Sequence, residues 1–146
     1  MATVGQFNWP VRVYYEDTDS GGVVYHSNYL NFMERARTEW LRHLGFEQTY
    51  LHEVLNIIFV VHSMQISFKK PAKFNDFLIV SSKLVNIGRG SFEFSQVISV
   101  DKQTLGEQVL VEAQVKVACV DALTFKPTGT PESLKAQLIK HKEEQI

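Results

Sequence analysis

Two carboxylates, Asp17 and Asp19, stand ahead of a Gly21-Gly22 pair and a histidine, His26, within the stretch Val11 to His26. A carboxylate can attack a carbonyl or activate a water, and the unbonded N–H groups at a helix start can hold the oxyanion that develops. Asp19 precedes the expected helix by a short turn, so the backbone N–H groups of Tyr25 and His26 are expected to converge with it on one carbonyl. The helix dipole would help keep Asp19 ionised. The same residues also suit a plain turn and cap, a common use of Asp, and spacing alone leaves the two readings level. A calcium loop starting at Asp17 fails, because Gly21 stands where a third oxygen ligand belongs and Asn28 where the bidentate Glu belongs. Two carboxylates could hold Mg²⁺ beside a phosphorylated substrate, but no Gly-rich Lys-Ser/Thr phosphate cradle is present. Neither a metal nor another cofactor is expected.

The elements that must position these residues are legible as a change of period. Trp9, Val11, Val13 and Tyr15 alternate with Arg12, Tyr14 and Glu16, the pattern of a half-buried strand with Pro10 near its start. From Ser27 to Leu44 the spacing becomes helical, with Tyr29, Leu30, Phe32, Met33, Ala36, Trp40, Leu41 and Leu44 on one broad arc. Ser27 or Asn28 is expected to cap this helix and Gly45 to end it. Arg37 falls inside the arc, so it should snorkel out or meet Glu34 or Glu39. A short helix is expected over Gln48–Val54, then four long strands. Ile58, Val60, His62, Met64, Ile66 and Phe68 form the inward row of the first; the second closes at Gly88-Arg89-Gly90 and the third near Asp101 to Gly106. Val109, Val111, Ala113, Val115, Val117 and Cys119 form the inward row of the fourth. Short connections make them antiparallel. A tail helix opens at Thr130-Pro131-Glu132, with Leu134 and Leu138 inward. The order predicts one α+β domain over residues 1–146, a helix packed on a curled sheet.

Composition narrows the function. A formal charge of -1 gives no basic excess for nucleic acid. The single cysteine cannot make an intrachain disulfide, and neither a secretory signal nor an apolar run long enough to span a bilayer is visible. A cytoplasmic protein is expected. Cys119 and His62 are expected as core residues, and Lys69, Lys70 and Lys73 as a solvated edge.

The run from Tyr15 to His26, Tyr-Glu-Asp-Thr-Asp-Ser-Gly-Gly-Val-Val-Tyr-His, followed by Tyr29 and Glu34, resembles the signature of hotdog-fold thioesterases. The branch is that of 4-hydroxybenzoyl-CoA thioesterase, and within it the likeness is nearest to acyl-CoA thioesterases associated with the bacterial Tol-Pal system. It extends from Trp9-Pro10-Val11-Arg12 through Pro71-Ala72 and Asp76 to Val120-Asp121 and Lys126-Pro127. The resemblance implies one long helix wrapped by an antiparallel sheet, and hydrolysis of an acyl-CoA to a free acid and CoA without metal. It puts the catalytic carboxylate on Asp19 and the N–H that polarises the thioester on His26, whose ring would orient Asp19 or the water. Tyr25 would lie at the substrate, and Arg89 would contact CoA phosphates. Homodimers or homotetramers with sites between protomers are implied, as are envelope or lipid-metabolism protein partners. A hotdog dehydratase or hydratase, and a non-catalytic acyl-CoA-binding or envelope-associated interaction protein, remain as alternatives.

Overall fold

The computed structural model describes residues 6–102 and 106–143, without the side chains of Lys102 and Glu143. The expected turn over Asp101 to Gly106 therefore lies partly outside the described residues. The chain runs β1 (Phe7–Arg12), a single 3-10 turn (Tyr15–Asp17), α1 (His26–His43), α2 (Gln48–Glu53), β2 (Ile57–Phe68), β3 (Phe77–Ile87), β4 (Ser91–Lys102), β5 (Gly106–Asp121) and α3 (Glu132–Glu143). The strands form one 5-stranded antiparallel sheet in the order β1-β3-β4-β5-β2.

Helix α1, 18 residues and about 27 Å long, buries Tyr29, Phe32, Met33, Ala36, Trp40 and Leu41 against the sheet. Facing it are Leu78, Val80 and Leu84 of β3, Phe92, Phe94 and Ile98 of β4, and Val111, Ala113, Val115, Val117 and Cys119 of β5. Leu134 and Leu138 of α3 are fully buried, as their spacing predicted. The Trp40 Nε1–H, deep in this core, finds its acceptor on α3, at His141 Nε2, 3.0 Å away.

Several sequence expectations change once the chain is paired. Tyr15 does not continue the inward row of β1: the strand ends at Arg12, and Tyr15 lies 76% exposed, stacked on Phe74 at 3.9 Å. Its extended phase stops because the 3-10 turn takes over. A bulge in β2 falls between Val61 and Ser63, leaving His62 as the extra, exposed residue. Before the bulge Phe59 and Val61 pair Cys119 and Val117; after it Met64 and Ile66 pair Val115 and Ala113. The inward row therefore switches phase at the bulge, and His62 is not a core histidine. A second bulge sits at Leu110, which is buried beside a half-buried Val109; the Leu110 carbonyl accepts both the Lys69 and Lys70 N–H groups.

At Gly90 the backbone runs close against the Thr128–Gly129 segment. A Cβ there would stand 2.5 Å from the Thr128 carbonyl oxygen, too close without moving backbone. Gly90→Ala is expected to lower stability by about 1–3 kcal/mol, the range for overpacking, measured as a reduced urea midpoint at unchanged slope.

Candidate active site

The chain between β1 and α1 folds into a small hairpin. Thr18 bridges Val24, the Asp19 N–H donates to the Val23 carbonyl at 2.9 Å, and Gly22 closes the turn at φ +79°, which glycine adopts without strain. Gly21 keeps an ordinary backbone angle; its N–H donates to Asp19 Oδ1 at 2.8 Å. The hairpin is pinned to the following loop, where the Val24 N–H reaches the Ala72 carbonyl at 2.9 Å and Val23 bridges Lys73.

The two aspartates part company here. Asp17 is buried: Oδ2 accepts the Tyr14 N–H at 2.9 Å, and Oδ1 accepts from Asn28 Nδ2 at 3.0 Å. Asp19 is exposed, and its carboxylate is bound only by the Gly21 N–H among the described residues. Asp17 thus ties the turn to the helix start, whereas the Asp19 carboxylate stays exposed.

The helix start is arranged differently from the expectation. Tyr25 is the N-cap residue, and its N–H donates to the Asp17 carbonyl at 3.0 Å. That N–H is therefore committed, so Tyr25 does not supply a free oxyanion donor. Neither Ser27 nor Asn28 caps the helix; Asn28 turns its amide to Asp17. The N–H groups of His26 and Ser27 have no acceptor among the described residues, so these two are the open donors at the positive end of α1. The His26 ring packs against Tyr25 at 4.5 Å and edge-on to Phe68 at 6.3 Å. Among the described residues no hydrogen bond or ion pair joins Asp19 to the His26 ring.

Residues outside the sequence expectation also gather here. A cavity of about 260 Å³ is lined by His26, Tyr29, Phe68, Lys69, Lys70 and Pro71. The Tyr29 hydroxyl accepts the Ala72 N–H at 2.9 Å, and burial, with Asp76 and Asp19 adding to it, raises its pKa, so the phenol keeps its proton. Lys69 and Lys70, read from sequence as edge lysines, border this cavity, although Lys69 also faces Glu112 at 3.7 Å. Arg89 lies elsewhere, in the β3–β4 turn, where it lines an open cavity of about 520 Å³ with His62, Lys116 and Thr128. His62 and Lys116 had no local signal; the bulge and the strand register bring them to Arg89. No cluster of three or more His, Cys, Asp or Glu side chains of metal-binding form occurs among the described residues, and none of their helices is long and apolar enough to cross a membrane.

This fold and loop have known counterparts. The model of the thioesterase superfamily matches residues 21–107. An acyl-CoA thioester hydrolase, YbgC, of Escherichia coli O6:H1 is 46% identical over 131 residues, 90% of this chain and 94% of the relative. The chain belongs to the thioesterase superfamily. A further relative, the acyl-CoA thioesterase YbgC of Haemophilus influenzae, is 46% identical over 130 residues, covering 89% of this chain and 92% of its own. Among solved structures, a probable thioesterase from Bartonella henselae superposes with TM-score 0.78 at 34% identity, over 86% of this chain and 99% of that one. A 4-hydroxybenzoyl CoA thioesterase complexed with 4-hydroxybenzoyl CoA, at 17% identity and TM-score 0.83 over 91% and 98% of the two chains, shares the fold. The thioesterase hotdog fold expected from the sequence is borne out.

Within this superfamily member Cys119 is a core residue. Burial pushes its thiol from the ordinary 9.0 up to about 11, so the folded chain holds the proton that the unfolded chain releases first. That contribution to stability is complete below pH 9.0 and is lost as the pH rises to about 11. Relative to Cys119→Ala, the wild type should lose on the order of 1 kcal/mol across that window, read from chemical denaturation at stepped pH.

Proposed function

We propose that this chain hydrolyses acyl-CoA thioesters, with Asp19 as the reacting carboxylate and the N-terminus of α1 as the oxyanion site. The observation that carries this reading is the open His26 N–H at the helix start, beside a hairpin that leaves Asp19 exposed and Asp17 buried. The Ser27 N–H is a second donor. Together with the helix dipole they favour the negative charge that develops on the thioester oxygen.

Two routes use the same groups. In one, Asp19 attacks the carbonyl carbon, the C–S bond breaks, CoA leaves as thiolate, and water then cleaves the mixed anhydride. In the other, Asp19 takes a proton from water as the oxygen adds, and the tetrahedral oxyanion collapses with loss of CoA. The His26 ring is assigned to orient the carboxylate or the water. Arg89, with Lys116 and His62 beside it, is assigned to the CoA phosphates. The proposed compartment is the cytoplasm.

A second copy belongs to this reading. Among the described residues strand β2 ends the sheet with one side unpaired, and Val61, His62 and Ser63 are exposed along it. Such an edge invites antiparallel pairing with its own kind. A homodimer or homotetramer is expected by light scattering at micromolar concentration, and a monomer would count against the shared site.

The decisive variant is Asp19→Asn. It should keep the wild-type denaturation midpoint and lose at least ~10²-fold in turnover, followed as thiol release from acyl-CoA. Asp17→Asn should instead lower the midpoint and cost far less turnover. Near-normal hydrolysis by Asp19→Asn would sink the assignment.

A further inference from the structure

The long helix carries one buried cation that the reaction above does not use. Arg37 is 9% exposed, and neither expectation for it holds: it does not snorkel out, and it makes no ion pair among the described residues. Instead Nη1 donates to Gln96 Oε1 at 2.9 Å. Gln96 is fully buried and cannot turn its amide, because Nε2 donates to the Met33 carbonyl at 3.2 Å and to Ser82 Oγ at 2.9 Å. The guanidinium is thus held at one nitrogen by a neutral acceptor. Burial lowers its pKa, and the attraction of Glu34, which is exposed to water, does not offset that.

The other Arg37 donors are not orphaned in the core. Among the described residues the one buried side-chain polar atom without a partner is Thr130 Oγ1, so the spare donors reach accessible space. Arg37 lines a cavity of about 320 Å³ between α1 and the sheet. That volume falls at the low end of small-molecule pockets, roughly 300–1,000 Å³. Leu41, Phe92, Phe94 and Val117, all buried, give it walls of carbon, while exposed Glu34 and Gln48 stand at its rim. Neither Asp19 nor His26 lines it.

We propose that this cavity is a second ligand site, separate from Asp19 and His26, and that it binds free carboxylic acids with an apolar tail of medium length. The carboxylate takes the spare N–H groups of Arg37, whose planar fork matches it in charge and geometry. The tail lies along the aromatic and aliphatic walls and removes them from water. Each simpler ligand meets half of the site. A small inorganic anion pairs the guanidinium and leaves the walls wet; an alcohol of the same length covers the walls and leaves a desolvated charge without a counter-charge. Binding at this place does not rest on the hydrolase reading, although a free acid is also what that hydrolysis releases.

Equilibrium dialysis of the full-length chain against labelled octanoate, octan-1-ol and acetate tests the site. Octanoate should bind at least ~10-fold tighter than octan-1-ol, the scale of a hydrogen bond to a charged group. It should also bind at least ~10-fold tighter than acetate, the scale of burying two methylenes. Arg37→Lys should keep part of the octanoate affinity, and Arg37→Met should lose at least ~10-fold. Because Arg37→Met also strips Gln96 Oε1 of its donor and can impair folding, Thr38→Phe is the second variant. Thr38 is half-buried and lines the cavity, so the new ring fills the space and leaves Arg37 in place. That variant should keep the wild-type denaturation midpoint and lose at least ~10-fold in octanoate affinity, the scale of two methylenes shut out of the walls. Octan-1-ol or acetate binding as tightly as octanoate would overturn the inference, as would no octanoate binding to the wild type. Undiminished octanoate affinity in a folded Thr38→Phe would also overturn it, by putting the acid elsewhere on the chain. Thiol release is not read in any arm, so the hydrolase reading stands or falls separately, with Asp19→Asn.

Discussion

One buried carboxylate organises the site end of the molecule. Asp17 takes the Tyr14 N–H and the Asn28 amide on its two oxygens, while its own carbonyl takes the Tyr25 N–H. The end of the first strand, the hairpin and the start of α1 are thereby tied at a single residue. A buried charge is costly unless hydrogen bonds meet it, and here both oxygens are met. Because Tyr25 is held as the cap, the helix begins at His26, and the first unbonded N–H groups emerge there and at Ser27.

That clamp separates two aspartates of nearly identical local context. Asp17 has both oxygens bonded by the protein; Asp19, in the hairpin, has only the Gly21 N–H among the described residues. The glycine pair serves both limbs of the turn differently. Gly22 supplies the positive φ, and Gly21 lies so close to the carboxylate that a Cβ would be 3.2 Å from Asp19 Oδ1.

A second polar network runs through the middle of the core. Gln96 joins β4 to the Met33 carbonyl of α1 and to Ser82 of β3, and offers its oxygen to Arg37. Partnered groups of this kind fix how the helix lies on the sheet, since a rotation of α1 would leave several buried donors unmet. The Trp40 indole, bonded to His141 Nε2 and ringed by Phe94 and His141, does the same for α3. Hydrophobic periodicity predicted that α1 would bury a wide face; it carried no sign of which partner Arg37 would find.

By itself the sequence determined the element order, the length of α1, the inward rows of β3 and β4, the docking leucines of α3 and the cluster of candidate residues around Asp19 and His26. These follow from local period, turn chemistry and a motif contained within a dozen residues, so no distant contact is needed to read them. Tertiary structure alone decided the rest. The bulges at His62 and Leu110 shift the side-chain phase of β2 and β5, because register depends on a partner strand. The commitment of the Tyr25 N–H depends on where the Asp17 carbonyl points once that carboxylate is buried. The pairing of Arg37 with Gln96, 59 residues away, exists only when helix and sheet are packed, and it turns a misplaced charge on an apolar arc into a fixed donor facing a cavity.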